Sequence, residues 1–376
     1  MSTAAIPALQ LSAENKDISV LATDPGAWPT AEELQSLLHL GLIFGSAALV
    51  LSLAMPLVVK PVLRRLGVVD IPNERSSHTR TVIRGMGLAV AAAVVVVQLL
   101  ALLLGAVEVD RSVALVVLLG TALAAGLGWC EDIRGLSVRW RLAGQLLIGL
   151  VCAGALTLIL GTGIWWWPVC AIAVVAYINV ANFMDGLNGI SGMHGFVVGL
   201  VYSWAGASND LVWMIVAGLV VAFAFLGFLP WNFSRDSVFL GDVGSYLLGG
   251  SLIMIAIAAF LSGVYVEYLL PALSVYLADT GWTLLRRIRR GEAWWRPHRE
   301  HVYQRLTDIG FSHAASSLTV AVFTVVVSLV GLTGLWLSGL PAVVPGLAVL
   351  AVLALYLSLP HLLGARRTAE AQEARA

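Results

Sequence analysis

Four carboxylates in this chain stand where polar connections meet long apolar segments, a position that suits an acid acting at a membrane surface. Asp242 lies between two glycines at the start of an apolar stretch, and Glu131, Asp132 and Asp185 stand at the ends of others. Clustered carboxylates repel one another and take up protons unless a cation joins them. These residue types therefore predict a hard divalent cation that is bound by carboxylate and phosphate oxygens.

Composition indicates the elements that must position these acids. Hydrophobic residues make up 59% of the 376 residues and charged residues only 12%, which is typical of a polytopic helical membrane protein. Segments of about 20 apolar residues, long enough to cross the hydrocarbon core as a helix, recur along the chain. The pattern predicts an all-α fold with eleven spans, at 36–59, 86–107, 112–129, 142–161, 164–181, 190–206, 211–229, 244–262, 265–285, 318–338 and 341–363.

The basic residues predict the orientation of these spans. If the odd-numbered spans end in the cytosol, every one of the 22 Lys and Arg residues except Lys16 and Arg111 falls on the cytosolic side. The positive-inside rule then places the N-terminus outside and the C-terminus in the cytosol. We expect an acidic outer tail at 1–35, a single transmembrane domain at 36–363 and a cytosolic tail at 364–376.

Nearly all the polar chemistry falls in the connections on the predicted cytosolic side, so we expect an active site that faces the cytosol. Basic residues in the first and fifth connections are suited to phosphate, because Arg offers paired donors and His offers one. The five cytosolic connections are 60–85, 130–141, 180–190, 230–245 and 286–317.

Two other classes of function find little support in the sequence. The formal net charge is zero and no basic stripe with interleaved aromatic residues occurs, which argues against nucleic-acid binding. Cys130, Cys152 and Cys170 show no Cys-x-x-Cys spacing, so neither a disulfide framework nor a thiolate metal site is predicted. We expect all three to be ordinary buried thiols.

The connections also carry a family resemblance. Asp70 to His78, followed by Arg84-Gly85-Met86-Gly87, resembles the first signature motif of the polyprenyl-phosphate N-acetylhexosamine-1-phosphate transferases (glycosyltransferase family 4). The resemblance covers about 55–310, and the fifth connection looks most like the branch that initiates O-antigen synthesis. Three further stretches resemble the next family motifs in the right order: Glu131-Asp132, Asn182 to Gly189 and Phe239 to Ser245.

This resemblance implies a reaction, a cofactor and a location. A polyprenyl phosphate oxygen would attack the β-phosphorus of a UDP-N-acetyl sugar, releasing UMP and leaving a polyprenyl diphosphate sugar that starts O-antigen or another envelope polysaccharide. The cofactor would be Mg²⁺, or Mn²⁺ in its place, and the protein would lie in the bacterial inner membrane. The resemblance is compatible with a homodimer, which no residue of the sequence demonstrates.

It also implies roles for the residues that match the family motifs. Asp242 and Asp185 would hold the metal. Asp132, with Glu131 beside it, would orient or deprotonate the lipid phosphate, and Asp185 would help to shape the catalytic site. The implied nucleotide contacts are Asn182, Asn188, Asn232 and Phe239. The implied phosphate and sugar contacts are Asn73, Arg75, His78, His298, Arg299 and His301.

Departures from the family pattern leave alternatives open. Glu131 stands where Asp is usual, and Asn188 replaces a frequent Asp, which removes a charge but keeps an acceptor oxygen. The fifth connection lacks the triple His of the phospho-N-acetylmuramoyl-pentapeptide transferases, which stay an alternative. A non-enzymatic flippase or transporter is another, although its acids should lie near mid-span.

Two single features also have more than one interpretation. Asp279 lies inside a predicted span, where a charge is costly, so it is either functional or paired with a nearby Arg. His298 and His301 have the spacing of two zinc ligands, but no Cys or third His stands near them in the sequence.

Overall fold

The computed structural model describes residues 31–70, 82–234, 238–293, 298–336 and 343–373. Within these ranges the chain forms thirteen helices and one short hairpin. In chain order they are α1 Ala31–Ala54, α2 Pro56–Leu66, β1 Val69–Asp70, β2 Val82–Ile83, α3 Gly87–Leu103, α4 Arg111–Arg134, α5 Val138–Ile159, α6 Trp166–Met184, α7 Ile190–Ser208, α8 Val212–Asn232, α9 Gly241–Leu261, α10 Val266–Arg289, α11 Val302–Asp308, α12 His313–Trp336 and α13 Val343–Glu373.

Ten of the eleven predicted spans fall on one helix each, and the first, 36–59, covers parts of α1 and α2, so the all-α polytopic class is confirmed. Seven helices of the described chain are long and apolar enough to cross a membrane: α4, α5, α6, α8, α9, α12 and α13. The pair α1 and α2, bent by 42°, would make an eighth span, and α3 is a shorter apolar helix. The count of eleven spans and their orientation stay predictions.

Helix α9 lies at the centre of the bundle, with nearly all of its residues buried. A helix that is apolar on every side is stable only when neighbours surround it, and here α4, α6, α3 and α8 pack around it. Small residues allow the close approach: Gly249 faces the backbone of Ile178, and Gly250 faces Ala124. The central position of α9 fixes the start of that helix, and therefore Asp242, with respect to its neighbours.

The tightest contact in this region joins α4 to the first turn of α9. A Cβ atom on Gly128 would collide with the carbonyl oxygen of Asp242 and the Cα of Val243. Asp132 lies one helical turn beyond Gly128 and is therefore carried to the N-terminus of α9. Gly87 at the start of α3 makes a similar approach to Gly244.

Backbone hydrogen bonds join the first and fourth connections. Strands β1 and β2 pair antiparallel, and Ile83 of β2 also forms a parallel bridge with Val238. The N–H of Phe239 donates to the carbonyl of Ile83, at 2.8 Å, and the N–H of Met86 donates to the carbonyl of Phe239, at 3.0 Å. The segment between β2 and α3 is thus held beside the start of α9.

Two details differ from the expectations. Cys152 and Cys170 are buried, but Cys130 is exposed, because it lies near the end of α4 on the face turned away from the bundle. The fifth connection is not a continuous loop: it contains helix α11, and α12 begins at His313 rather than at 318.

Gly128→Ala should lower the free energy of unfolding by about 1–3 kcal/mol, because the added methyl group pushes α4 away from the backbone of α9. The matched control is Gly126→Ala on the same helix, where the added Cβ would meet nothing within 4 Å. Thermal unfolding of both purified variants in one detergent provides the measurement. Equal stability of the two variants would contradict the close approach.

Candidate active site

Asp132 sets the geometry of the candidate site. Its carboxylate accepts the backbone N–H groups of Asp242, at 3.0 Å, and Val243, at 2.9 Å. These are two of the four N–H groups that a helix leaves unpaired at its N-terminus, and the negative charge also complements the positive end of the helix dipole. The side chain of Asp132 is fully buried. It therefore fixes the start of α9, and its predicted part in activating the lipid phosphate stays a prediction.

Asp242 is the point at which the connections meet. Its Oδ1 accepts the amide N–H of Asn182, at 2.6 Å, and its Oδ2 accepts a hydrogen bond from the guanidinium of Arg84. The Asn182 amide also lies 3.0 Å from the hydroxyl of Ser245. Arg84 in turn places its Nε 2.9 Å from Oδ1 of Asp132. Residues from four of the five cytosolic connections predicted from the sequence thus take part in one cluster.

Asp185 follows α6 directly, and the charges of Asp242, Asp132 and Arg84 act on its carboxyl group. Its Oδ1 accepts the hydroxyl of Ser191 at 2.7 Å. Burial raises the pKa of the Asp185 carboxyl to about 7, against the lowering effect of the Ser191 hydrogen bond, and the charges of Asp242 and Asp132 raise it further. A cation bound nearby would favour the ionised carboxylate.

The donor set fits a hard cation. Among the described residues, no three His, Cys, Asp or Glu side chains meet the spacing of a metal site. Magnesium needs only one or two carboxylates, however, because phosphate oxygens and water complete its octahedron. Asp242 and Asp185 offer carboxylate oxygens, each with more than one lone pair, and Asn182 offers an amide oxygen. These residues would hold Mg²⁺.

Glu131 turns away from its neighbour Asp132. Its Oε2 accepts the backbone N–H of Leu136 at 2.6 Å, and its Oε1 lies 3.5 Å from Arg141. The charge of Arg141 also acts on the hydroxyl of Tyr246, one turn beyond Asp242 on α9. Glu131 thus orders the second connection and holds Arg141 beside α9, and its predicted catalytic role is untested.

The residues expected at the nucleotide show two kinds of environment. Asn232 is buried with both ends of its amide occupied: it accepts the N–H of Gly189, at 2.5 Å, and donates to the carbonyl of Val238, at 2.8 Å. It therefore ties the third connection to the fourth.

Asn188 and Phe239 are partly exposed, and the carbonyl of Asn188 accepts the hydroxyl of Ser317. Their contacts with a nucleotide stay predictions, as does that of Asn182.

Asp279 attaches the fifth connection to the bundle. This buried carboxylate accepts the backbone N–H of Val302, with both oxygens at 3.1 Å, and the hydroxyl of Tyr356, at 2.7 Å. Nδ1 of His301 lies 3.1 Å from its Oδ1. The hydroxyl of Thr283, on the same helix, also donates to Oδ1 at 3.4 Å. The partners of Asp279 among the described residues thus come from α10, the start of α11 and α13, and the nearby Arg that the sequence suggested is not among them. The hydroxyl of Tyr303 then reaches the carbonyl of Phe183, at 3.0 Å, beside the third connection.

An ion-pair cluster joins Glu300, two residues before α11, to the end of α10. Glu300 lies 2.5 Å from Arg287 and 3.4 Å from Arg286, and it also pairs with Arg290. Burial acts to raise the pKa of the Glu300 carboxyl, but hydrogen bonds from Arg290 and Arg287 outweigh burial and hold that pKa below its usual range. Arg299 is exposed.

The remaining sugar and phosphate candidates divide into two groups. The rings of His298 and His301 lie 5.0 Å apart, but His301 is buried against Asp279. Among the described residues, no group of three His, Cys, Asp or Glu side chains is arranged to hold a metal ion. The zinc interpretation of this pair thus gains no support. Asn73, Arg75 and His78 fall outside the described residues.

Sequence reasoning missed two residues of the site. Arg84 stood in the quoted motif, immediately before Gly85, but it was given no role beyond its charge. Glu300 was not selected at all. The sequence signal for Arg84 is its position directly before Gly85. In the structure Gly85 has a φ of 81°, which lets the backbone turn toward α9.

Comparison with known proteins identifies a family and several relatives. The family model described as glycosyl transferase family 4 matches residues 114–260, the stretch that carries Asp132, Asp185 and Asp242. A probable undecaprenyl-phosphate N-acetylglucosaminyl 1-phosphate transferase of Bacillus subtilis (strain 168) is 28% identical over 293 residues, covering 73% of this chain and 80% of that protein.

Two further relatives carry related names. The decaprenyl-phosphate N-acetylglucosaminephosphotransferase of Mycobacterium tuberculosis (strain ATCC 25618 / H37Rv) is 30% identical over 307 residues, covering 68% of this chain and 72% of that protein. A phospho-N-acetylmuramoyl-pentapeptide-transferase of Desulforudis audaxviator (strain MP104C) is 29% identical over 339 residues, covering 78% of this chain and 98% of that protein.

Glu300→Gln should speed tryptic cleavage in the 286–299 segment, because it removes the negative charge shared by Arg286, Arg287 and Arg290. The control is Glu292→Gln, which loses the contacts of Glu292 with Arg287 and Arg290 but leaves Glu300 in place. Limited proteolysis followed by mass spectrometry reports the cleavage sites. If both variants resist trypsin like the wild type, Glu300 does not hold this connection.

Proposed function

The chain belongs to glycosyl transferase family 4, and on that premise we propose that it transfers N-acetylhexosamine 1-phosphate from a UDP-linked sugar to polyprenyl phosphate. The products are UMP and a polyprenyl diphosphate sugar. The named relatives from Bacillus subtilis and Mycobacterium tuberculosis are polyprenyl-phosphate N-acetylglucosamine phosphotransferases, which supports both this reaction type and the lipid acceptor.

One structural observation carries the proposal: Asp242 receives Asn182 and Arg84 from two separate connections while Asp132 holds its backbone. A transfer between two phosphate groups needs positioning and charge neutralisation more than covalent help from the protein. A cluster of oxygen donors beside a guanidinium, at the mouth of a fixed helix, provides both requirements. Magnesium, when bound, would neutralise the charge of the diphosphate.

The protein residues would act by orientation. An oxygen of the lipid phosphate attacks the β-phosphorus of the donor, and the bond from that phosphorus to the oxygen of the UMP phosphate breaks. Asp132 keeps the first turn of α9 in place during this exchange, and Asp242 and Asp185 supply oxygen ligands. Arg141, which pairs with Glu131 and whose charge acts on Tyr246 of α9, would contact a phosphate oxygen.

We propose UDP-N-acetylglucosamine as the donor, because two of the relatives described above carry that sugar in their names. The muramoyl-pentapeptide donor is the second candidate, since one relative is named for it. The absence of a triple His in the fifth connection favours the first. A transporter is disfavoured, because Asp132, Asp185 and Asp242 lie at helix ends rather than at mid-span.

The setting of this reaction is part of the proposal. The distribution of Lys and Arg favours an active site on the cytosolic side of a bacterial inner membrane. Membrane embedding follows from the spans and from the family, whereas a homodimer rests on no described contact.

Release of UMP tests the function directly. Purified full-length protein with polyprenyl phosphate, Mg²⁺ and UDP-N-acetylglucosamine should produce UMP together with a lipid-linked sugar, and a chelator should stop the reaction. A parallel reaction with the UDP-muramoyl-pentapeptide donor distinguishes the second candidate. Absence of UMP with every donor would refute the transferase function.

Asp242→Asn should reduce the rate of UMP release at least about a hundredfold, because it removes the charge that faces the cation while keeping the shape of the side chain. The matched control is Asp210→Asn at the turn between α7 and α8, where Asn tolerates the positive φ of 53°. Rates should be measured at saturating Mg²⁺ on variants with equal melting temperatures. Near-normal turnover by Asp242→Asn would refute its role at the metal.

A further inference from the structure

Arg84 stands between two carboxylates that the fold holds together. Its Nε lies 2.9 Å from Oδ1 of Asp132, and its Nη2 contacts Oδ2 of Asp242. The two acids cannot move apart freely, since the carboxylate of Asp132 is bonded to the backbone N–H of Asp242. One guanidinium therefore offsets two negative charges, which is the task that a divalent cation performs in a carboxylate cluster.

A cation on Asp242 and the guanidinium in this position compete for the same group. Oδ2 of Asp242 is already occupied by Arg84, and Oδ1 by the amide of Asn182. A divalent ion that binds the Asp242 carboxylate would approach the guanidinium to within a few ångströms and would repel it. Electrostatics thus favours one positive group at a time.

The surroundings of Arg84 leave space for a second position. Its side chain is 39% exposed, unlike the fully buried side chain of Asp132. It borders a cavity of about 190 Å³ between the end of α2 and the end of α4, which is also lined by Asp132, Leu66, Gly67, Val68, Val69 and Ile133. The cavity is large enough for a guanidinium or a phosphate group, so Arg84 has room to move away from Asp242 while it stays near Asp132.

We propose that Arg84 occupies the place of the divalent cation in the empty enzyme and turns out toward this cavity when the cation binds. The inference rests on the proposed function for the identity of the cation. It has a functional consequence, because an anionic diphosphate entering the site offers the displaced guanidinium a new partner. Cation and diphosphate then strengthen each other's binding, as reciprocal linkage requires.

Titration of Mn²⁺, followed by electron paramagnetic resonance on full-length protein in detergent without nucleotide, tests the displacement. Arg84→Gln should bind Mn²⁺ about tenfold or more tightly than the wild type, since the competing positive charge is gone. Arg84→Lys keeps that charge and should stay near the wild-type affinity. Arg139→Gln is the matched control: it removes one charge from an exposed side chain of the neighbouring connection.

A melting experiment covers the case in which Arg84→Gln is unstable. The variant is purified in Mg²⁺, and its melting temperature is compared in Mg²⁺ and in a chelator. Mg²⁺ should raise the melting temperature of Arg84→Gln clearly more than that of the wild type, because only the variant leaves the two acids without a positive partner. A variant that is equally unstable with and without Mg²⁺ would overturn the inference.

The outcomes separate this inference from the proposed function. Equal or weaker Mn²⁺ binding by Arg84→Gln, with Mg²⁺-dependent UMP release intact in the wild type, overturns the role of Arg84 alone. If no variant binds Mn²⁺ and the wild type releases UMP in a chelator, the cation part of the proposed function fails, and the inference about Arg84 fails with it.

Discussion

The hydrogen bonds from the backbone of Asp242 and Val243 to the carboxylate of Asp132 are the interaction on which the rest of the site depends. They satisfy two of the N–H groups at the open end of a buried helix. They also force two acids to lie side by side, which is stable only if a positive group stands between them. The close approach at Gly128, the position of Arg84 and the fit to a divalent cation all follow from this single pairing.

The same device occurs a second time in the chain. Asp279 is buried in α10 and accepts the first N–H of α11, as Asp132 accepts the first N–H groups of α9. In each case a carboxylate on one helix fixes the start of another, and that start carries residues of the candidate site. Tyr303 links the two regions, because its hydroxyl donates from α11 to the carbonyl of Phe183, the neighbour of Asn182. Asn182 in turn donates to Asp242. Asp132 and Asp279 thus each hold the start of a neighbouring helix in place.

The apolar segments were readable from the sequence because spans of this length leave few alternatives to a helix. The gathering of Asp132, Asp185 and Asp242 was also predictable, since acids at the same ends of packed helices lie close together. The separate directions of Glu131 and Asp132 were not, because neighbours on a helix differ by about 100° and only the position of α9 decides which one meets it. The buried hydrogen bonds by which Asn232 ties two connections together were not predictable either, because they depend on how the connections fold against each other. Its contact with a nucleotide stays a prediction.

The central claim is that one cation binds at Asp242, beside the helix start that Asp132 fixes. Anomalous diffraction at the manganese edge, from crystals grown with Mn²⁺ and the UDP-sugar, locates that ion most directly. The account predicts a single strong peak in direct contact with a carboxylate oxygen of Asp242, with Asp185 turned toward it and the guanidinium of Arg84 displaced. A peak at His298 and His301, or a site at Asp242 without manganese while the UDP-sugar is bound, would contradict it.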